Sequence, residues 1–164
     1  MATTAVTIAE YLSTVYEPDC DYVDGEIQER NLGEIDHSRL QLAIGSYFYT
    51  RRKEWGISAY TEQRVQVSPN RFRIPDVCVI LGEPACQILR TPPFICIEIV
   101  SPEDRVSRTS EKIADYLGFG VPYVWILDPK TRKAFRCTPG AMVEVSELRT
   151  ENPAMVVPLE ALFE

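Results

Sequence analysis

Two short apolar runs, each carrying a carboxylate, constrain the fold of this chain more than any other feature. Asp76 opens the run at residues 77–81, and Glu98 lies inside the run at residues 94–100. Both runs are rich in β-branched residues and bounded by Pro, Gly or Ser, so they are predicted to be strands buried on both faces. A carboxylate buried without a partner costs several kcal/mol, which it avoids by protonating, by pairing or by holding a metal ion.

The spacing allows these two carboxylates to meet. Because side chains alternate along a strand, Asp76 shares a face with Cys78, and Glu98 shares a face with Cys96. Asp76 and Glu98 therefore converge if the two strands are neighbours in suitable register. A predicted helix that carries Lys112 follows them. The combination suggests a metal-ion site, and a core salt bridge with an arginine such as Arg73 is the alternative that these residues leave open.

Length and composition set the limits. A chain of 164 residues, of which 45% are apolar and 25% charged, is expected to form one well-packed domain. No apolar run approaches the roughly 20 residues that span a bilayer. The N-terminus lacks the basic region and apolar core of a signal peptide, and the five cysteines form no Cys-x-x-Cys pair. We therefore expect a reduced, cytoplasmic protein that binds no membrane.

The net charge of −7 counts against non-specific nucleic-acid binding through a basic surface. It does not exclude a nuclease, because carboxylates that bind a divalent cation are neutralised in the working state. Arginines also gather around the central stretch, and ordinary solvated surface is the alternative explanation for them. They are Arg64, Arg71, Arg73, Arg90, Arg105 and Arg108.

The first thirty residues predict a short helix and a hairpin. Thr7 and Glu10 have the spacing of a capping box at the start of the helix. Asp24-Gly25 is a strong two-residue hairpin signal between residues 21–23 and 26–30. Glu26 shares one face of the second arm with Gln28 and Arg30, and an ordinary exposed strand residue is the alternative for Glu26.

Two further helices are predicted downstream. Asp36 has the character of an N-cap for a helix from about His37 to Glu54, which Gly56 ends. His37, the only histidine, could be a catalytic base, a metal ligand or a structural residue. The second helix, capped by Thr109 or Ser110, leads to a buried strand at 122–127, which implies a parallel crossover. Strands near 133–136 and 142–145 and a packing arm from 151 complete the chain.

Four motifs occur in order along the chain. They are Arg73-Ile-Pro-Asp76, Glu98-Ile-Val-Ser101-Pro102, Lys112-x-x-x-Tyr116 and Gly120-Val-Pro-Tyr-Val-Trp125-Ile-Leu-Asp128-Pro129. Together they resemble the Uma2 family of restriction-endonuclease-like proteins, which have the PD-(D/E)xK nuclease fold. The segment 23–27 and His37 at the start of a helix also match, so the resemblance covers residues 7 to 137. One departure is Val100, which stands where the superfamily motif has lysine, and Lys112 in the following helix takes that place.

The resemblance implies an α+β fold with a restriction-endonuclease-like core at about 37–128 and a mixed central sheet flanked by helices. An N-terminal helix and hairpin at 7–30 and C-terminal strands and an arm at 132–164 would be added to this core. Asp76, Glu98 and the backbone carbonyl of Ile99 would bind Mg²⁺, or Mn²⁺ in its place, and Lys112 would assist the attacking water. Glu26 would complete the metal shell or bind a second ion. The remaining motif residues expected to bind substrate are Arg73, Ser101, His37 and Tyr116.

The expected function is therefore metal-dependent endonucleolytic cleavage of DNA. A homodimer is expected as well, because cutting both strands of a duplex needs two sites and two-fold symmetry supplies them. The alternative is a non-catalytic nucleic-acid-binding or interaction module that retains the nuclease fold. The complete set of two carboxylates and one lysine favours the nuclease.

Overall fold

The structure, a computed structural model, describes residues 4–31 and 33–164. Three α-helices, twelve strands and a final 3-10 turn occur within these residues. In chain order they are α1 (Ile8–Ser13), β1 (Cys20–Val23), β2 (Glu26–Glu29), α2 (Ile35–Trp55), β3 (Ile57–Thr61), β4 (Val65–Ser68), β5 (Arg71–Arg73), β6 (Val77–Leu81), β7 (Ile95–Ile99), α3 (Val106–Phe119), β8 (Tyr123–Asp128), β9 (Lys133–Thr138), β10 (Ala141–Val145), β11 (Glu147–Thr150), β12 (Met155–Pro158) and the turn Leu159–Ala161.

The two apolar runs that carry the carboxylates are β6 and β7, and they pair near the middle of a six-stranded sheet. The order of this sheet is β10-β9-β8-β7-β6-β3. Neighbours are antiparallel except for β7 and β8, which are parallel and joined through α3. All five residues of β7 are buried. The predicted mixed central sheet, the buried strands and the parallel crossover are therefore confirmed.

Apolar side chains cover both faces of this sheet. On one face α2 contributes Leu40, Ile44 and Phe48 at a spacing of four residues, which forms a continuous buried stripe. The C-terminal segment packs into the same core, and here the structure adds to the predicted arm. It forms an antiparallel hairpin of β11 and β12, whose buried residues include Leu148 and Val157. The other face packs against α3 and β4.

A smaller sheet of order β2-β1-β5-β4 contains the predicted N-terminal hairpin. Asp24 and Gly25 form its turn with φ of 50° and 95°, a backbone conformation that glycine adopts without steric cost. The capping box of α1 is also present, because Thr7 Oγ1 accepts from the backbone N–H of Glu10 and the Glu10 carboxylate accepts from that of Thr7. Both predictions are confirmed.

Two predicted helix starts are wrong by a few residues. The N-cap of α2 is Glu34, and Asp36 lies in the first turn, where its charge is stabilised by the helix dipole instead of capping the helix. The N-cap of α3 is Arg105, so α3 begins before Thr109 and Ser110. Residues 106–108, which include the exposed Val106, form its first turn and carry no buried apolar side chain that would mark a helix start in the sequence. None of the helices in the described ranges is long and apolar enough to cross a membrane.

Candidate active site

The antiparallel pairing of β6 and β7 places Asp76 and Glu98 next to each other. Val77 pairs with Ile97 and Cys78 with Cys96, so one further step along this register sets Asp76 opposite Glu98. The two residues are only 3% and 7% exposed. The convergence that the strand pattern predicted is therefore present, at the end of the sheet where β6 begins.

Hydrogen bonds from three different elements hold the Asp76 carboxylate. Oδ2 accepts from the backbone N–H of Ile99 at 2.7 Å, and Oδ1 accepts from Arg30 Nη2 at 2.8 Å. His37 Nε2 also lies 3.4 Å from Oδ1. Burial opposes ionisation of Asp76, but the His37 hydrogen bond and the charges of Lys112 and Arg30 outweigh it and lower the pKa of Asp76. Asp76 is thus held as an anion.

Glu98 differs from Asp76 because its partners come from α3 alone. Oε1 accepts from the hydroxyl of Tyr116 at 2.6 Å, and Oε2 accepts from Lys112 Nζ at 2.9 Å. Burial, reinforced by the charge of Asp76, raises the pKa of Glu98 to about 7 even though Lys112 acts in the opposite direction. Two neighbouring carboxylates with pKa values shifted in opposite directions are a frequent property of functional sites.

Lys112 and Tyr116 reach Glu98 together because they are four residues apart on one face of α3. Burial disfavours the charge of Lys112, but Asp21, Glu98 and Asp76 outweigh it and raise the Lys112 pKa. Asp21 Oδ2 lies 3.8 Å from the ammonium nitrogen. Lys112 is therefore protonated at neutral pH and held between two carboxylates.

The salt bridge considered from the sequence is present with Arg30 and not with Arg73, which lies in a buried ion-pair network behind the site. Arg73 is 0% exposed. It donates to Asp115 Oδ2 at 2.7 Å, to Gln28 Oε1 at 3.0 Å and to Asp21 Oδ2 at 3.3 Å. It therefore does not pair with Asp76, and the assignment of Arg73 to substrate binding is corrected to a role in joining the N-terminal hairpin to α3. Sequence reasoning missed Asp21, although an aspartate inside the buried run Cys20–Val23 was a signal of the same kind as Asp76.

Of the other predicted site residues, some line the cavity and some do not. Tyr116 is 0% exposed and reaches a substrate only through Glu98, so its predicted substrate contact is corrected to a positioning role. Glu26 is exposed at the turn end of β2 and does not line the cavity. Arg30 was predicted to share one face of the hairpin with Glu26 and lies about 13 Å further along it at the usual strand rise. It is Arg30, and not Glu26, that contacts Asp76. Ser101 lies at the cavity, where its hydroxyl accepts from Asn31 Nδ2 at 3.1 Å.

Asp76, Glu98 and Lys112 open into a cavity of about 650 Å³. Its cationic lining comes from the residue after β2, from α2 and from the start of α3, and comprises Arg30, His37, Arg105, Arg108 and Lys112. Of the six arginines noted in the sequence, Arg105 and Arg108 are the two that line it. Arg64 lies over the ring of Tyr11 and Arg90 bonds Gln66. Ordinary surface or structural contacts therefore explain part of that set.

The donor set fits a hard divalent cation that keeps most of its water. Residues 4–31 and 33–164 contain no cluster of three or more His, Cys, Asp or Glu side chains able to hold a metal. Mg²⁺ is usually bound by one or two carboxylates, with waters and substrate phosphates as its other ligands. Asp76 and Glu98 supply two carboxylates, and each carboxylate keeps lone pairs that its present donors do not use. Structural Zn²⁺ normally requires four protein ligands and fits this pair poorly.

The raised pKa of Glu98 gives a stability prediction for the metal-free protein. A carboxyl whose pKa rises from 4.5 to about 7 on folding contributes stability below pH 4.5 and loses it as the pH rises through 7. The pKa of His37 is also raised, through its hydrogen bond with Asp76, which acts in the same direction. We expect the metal-free protein to lose on the order of 2–3 kcal/mol between about pH 5 and pH 8. Denaturant unfolding in chelator across this range measures it, and Glu98→Gln should flatten most of the slope.

A mixed sheet with two carboxylates on adjacent strands and a lysine on the crossover helix defines the class of restriction-endonuclease-like nuclease folds. The chain belongs to the Uma2 family, described as "Putative restriction endonuclease", whose match covers residues 8–164. The structure is similar to a crystal structure titled as that of a "putative nuclease belonging to DUF820" from Anabaena variabilis. That similarity has a TM-score of 0.80 at 23% identity and covers 96% of this chain and 97% of the other. No curated protein matches the sequence.

Proposed function

We propose that this protein is a metal-dependent endonuclease that hydrolyses phosphodiester bonds of DNA. The observation that carries the proposal is the arrangement of Asp76 opposite Glu98, with Lys112 bonded to Glu98, at the base of a cavity lined by arginines. A nuclease of this fold requires such a set at the end of the central sheet. Membership of the Uma2 family supports the same conclusion.

Asp76, Glu98 and the carbonyl of Ile99 would hold Mg²⁺, with Mn²⁺ as a substitute. The cation, when bound, lowers the pKa of a coordinated water and offsets the charge that develops on the phosphate. The Ile99 amide and the Tyr116 hydroxyl fix the two carboxylates from the protein side. The other oxygen of each carboxylate, Asp76 Oδ1 and Glu98 Oε2, is contacted by the cationic side chains Arg30 and Lys112, which also line the cavity.

Lys112 serves the reaction and not the metal, because a protonated ammonium has no lone pair to donate. Its position beside Glu98 allows it to orient the attacking water and to offset phosphate charge. Nucleic acid would meet Arg105 at the N-cap of α3 and Arg108 in its exposed first turn. These local positive charges would bind the backbone despite the net charge of −7. Ser101 and His37, which also line the cavity, are the further substrate-binding candidates.

One observation favours the non-catalytic alternative. The cavity side of Asp76 carries an arginine, so a protein that only binds nucleic acid could keep this ion pair in place of a cation. A panel of supercoiled plasmid, single-stranded DNA and RNA, incubated with purified protein and Mg²⁺, decides between the two functions. The nuclease predicts cleavage of DNA that stops on addition of chelator. Binding of DNA without cleavage in either Mg²⁺ or Mn²⁺ would establish the alternative.

We also propose that the protein is a homodimer that pairs through the outward face of α2. Ile35, Leu42 and Tyr49 are 73%, 71% and 55% exposed and lie seven residues apart, which is the spacing of a coiled-coil seam. The first turn of α2 carries Asp36 and its last turn carries Arg52 and Lys53. Two copies packed antiparallel would therefore set opposite charges against each other at both ends.

Leu42→Asp should weaken the dimer at least about tenfold, because it places two facing charges in the centre of the seam. Met142→Asp is the matched control, since Met142 is an apolar side chain of 59% exposure on the edge strand β10. Sedimentation equilibrium at micromolar concentrations would measure both variants. A monomeric wild type, or dissociation by Met142→Asp alone, would contradict the proposed interface. A cytoplasmic location stays a prediction from the sequence.

A further inference from the structure

The oxygen of Asp76 that faces the cavity is held by a cation that belongs to the protein. Oδ2 is used by the Ile99 amide, and Arg30 Nη2 lies 2.8 Å from Oδ1, which is the oxygen that His37 also approaches. The Arg30 side chain is 13% exposed and lines the same cavity. A guanidinium stays charged at any working pH, so Asp76 is neutralised without any bound metal.

Arg30 has a second carboxylate within reach. Its Nη1 lies 3.7 Å from Glu62 Oε1, and the Glu62 side chain is 49% exposed where that of Asp76 is 5% exposed. Glu62 is anchored beside the site, because its backbone N–H donates to the carbonyl of Asp76 at 3.2 Å. The guanidinium thus bridges a buried carboxylate and a solvent-exposed one.

A divalent cation and a guanidinium on the same carboxylate repel each other strongly at these distances. We propose that Arg30 competes with the metal for Asp76, so that metal binding requires Arg30 to turn from Asp76 towards Glu62 and the cavity. A phosphate in the cavity favours the same movement, since it offers the guanidinium a bidentate partner. Metal and nucleic acid then strengthen each other's binding through this one side chain. The inference rests on the proposed metal site.

Calorimetric titration of Mn²⁺ into the metal-free protein tests the competition without measuring cleavage. Arg30→Gln should bind Mn²⁺ about tenfold or more tightly than wild type, within the usual range of coupling between two sites. Arg30→Lys keeps the positive charge and should stay close to wild type. Arg71→Gln is the matched control, because Arg71 pairs with Asp24 and Asp115 away from the cavity, and it should leave the affinity unchanged.

Glu62→Gln supplies an independent arm if Arg30→Gln fails to fold. It removes the exposed partner and leaves Arg30 on Asp76, so Mn²⁺ binding should weaken by about threefold or more. Equal Mn²⁺ affinity of wild type and Arg30→Gln, or tighter binding by Glu62→Gln, would overturn the competition while leaving the metal site intact. Absence of Mn²⁺ binding in wild type and in all of these variants would instead overturn the metal site of the proposed function and the competition with it.

Discussion

Replacing Lys112 with Ala should reduce DNA cleavage about a hundredfold or more while leaving Mn²⁺ affinity unchanged or slightly improved. A group that takes part in proton transfer typically contributes two to four orders of magnitude to the rate. The metal ligands are untouched, and a positive charge 2.9 Å from Glu98 Oε2 is removed, which favours a bound cation. The fold should survive, because Glu98 can take up a proton when its partner is lost.

A plasmid-nicking assay and a calorimetric Mn²⁺ titration on the same Lys112→Ala preparation check this expectation. Lys112→Arg should rescue poorly, because its planar guanidinium holds its proton and does not fit the position of an ammonium. Glu103→Gln, an exposed substitution at the rim of the cavity, is a suitable control and should keep most of the activity. Wild-type rates in Lys112→Ala would remove Lys112 from the reaction. Combined loss of metal binding and of folding would make it a structural residue.

Asp76→Asn and Glu98→Gln should both abolish metal binding but should have opposite consequences for the metal-free fold. Asp76 is the charge partner of Arg30 and also contacts His37, so Asp76→Asn leaves a buried guanidinium without its closest counter-ion. A loss of roughly 3 kcal/mol is expected from breaking a buried pair on one side. Glu98 is ionised at pH 8, but burial disfavours its charge and raises its pKa to about 7, so this ionisation destabilises the metal-free fold. Glu98→Gln should therefore leave the metal-free protein at pH 8 as stable as wild type or more stable.

Chemical denaturation in chelator at pH 8, followed by repetition in excess Mn²⁺, measures both effects. Wild type should gain stability from Mn²⁺ by mass action, and neither variant should gain any. Equal destabilisation by the two substitutions would mean that Glu98 is held as an anion by the protein alone. Retention of the Mn²⁺ gain by either variant would show that its carboxylate is not a ligand.

The sequence predicts Asp76, Glu98 and Lys112 well, because the position of each depends only on one strand or helix and on its neighbours along the chain. Two carboxylates at the same end of two short buried strands meet whenever those strands pair antiparallel with a tight register. Lys112 and Tyr116 follow from helical spacing, and the parallel crossover that carries them follows from the length of the connection. These features need only the period of each element and the order of the elements.

The partners of the site residues could not be predicted in the same way. Arg30 bonds a residue 46 positions away, a contact that depends on how the N-terminal hairpin docks against the start of β6. Arg73 bonds Asp21 across 52 positions, a contact that depends on the pairing of β1 with β5. Period-two alternation identified the face of β2 but could not say which of its polar residues reaches Asp76. For the same reason Glu26 was favoured where Arg30 is found. The hairpin of β11 and β12 alternates between buried and less buried positions, but in β12 the sequence Met155-Val-Val-Pro158 carries no matching alternation of apolar and polar residues, so no strand was predicted there.

The most direct test of the central claim is cleavage of a supercoiled plasmid at graded Mn²⁺ concentrations by wild type and Glu98→Gln side by side. We predict that wild type converts the plasmid to nicked and linear forms, that cleavage saturates with Mn²⁺ and that chelator abolishes it. Glu98→Gln, folded to the same extent by circular dichroism, should leave the plasmid intact at every concentration. Equal cleavage by both proteins, or cleavage that persists in chelator, would contradict an active site built on Asp76 and Glu98.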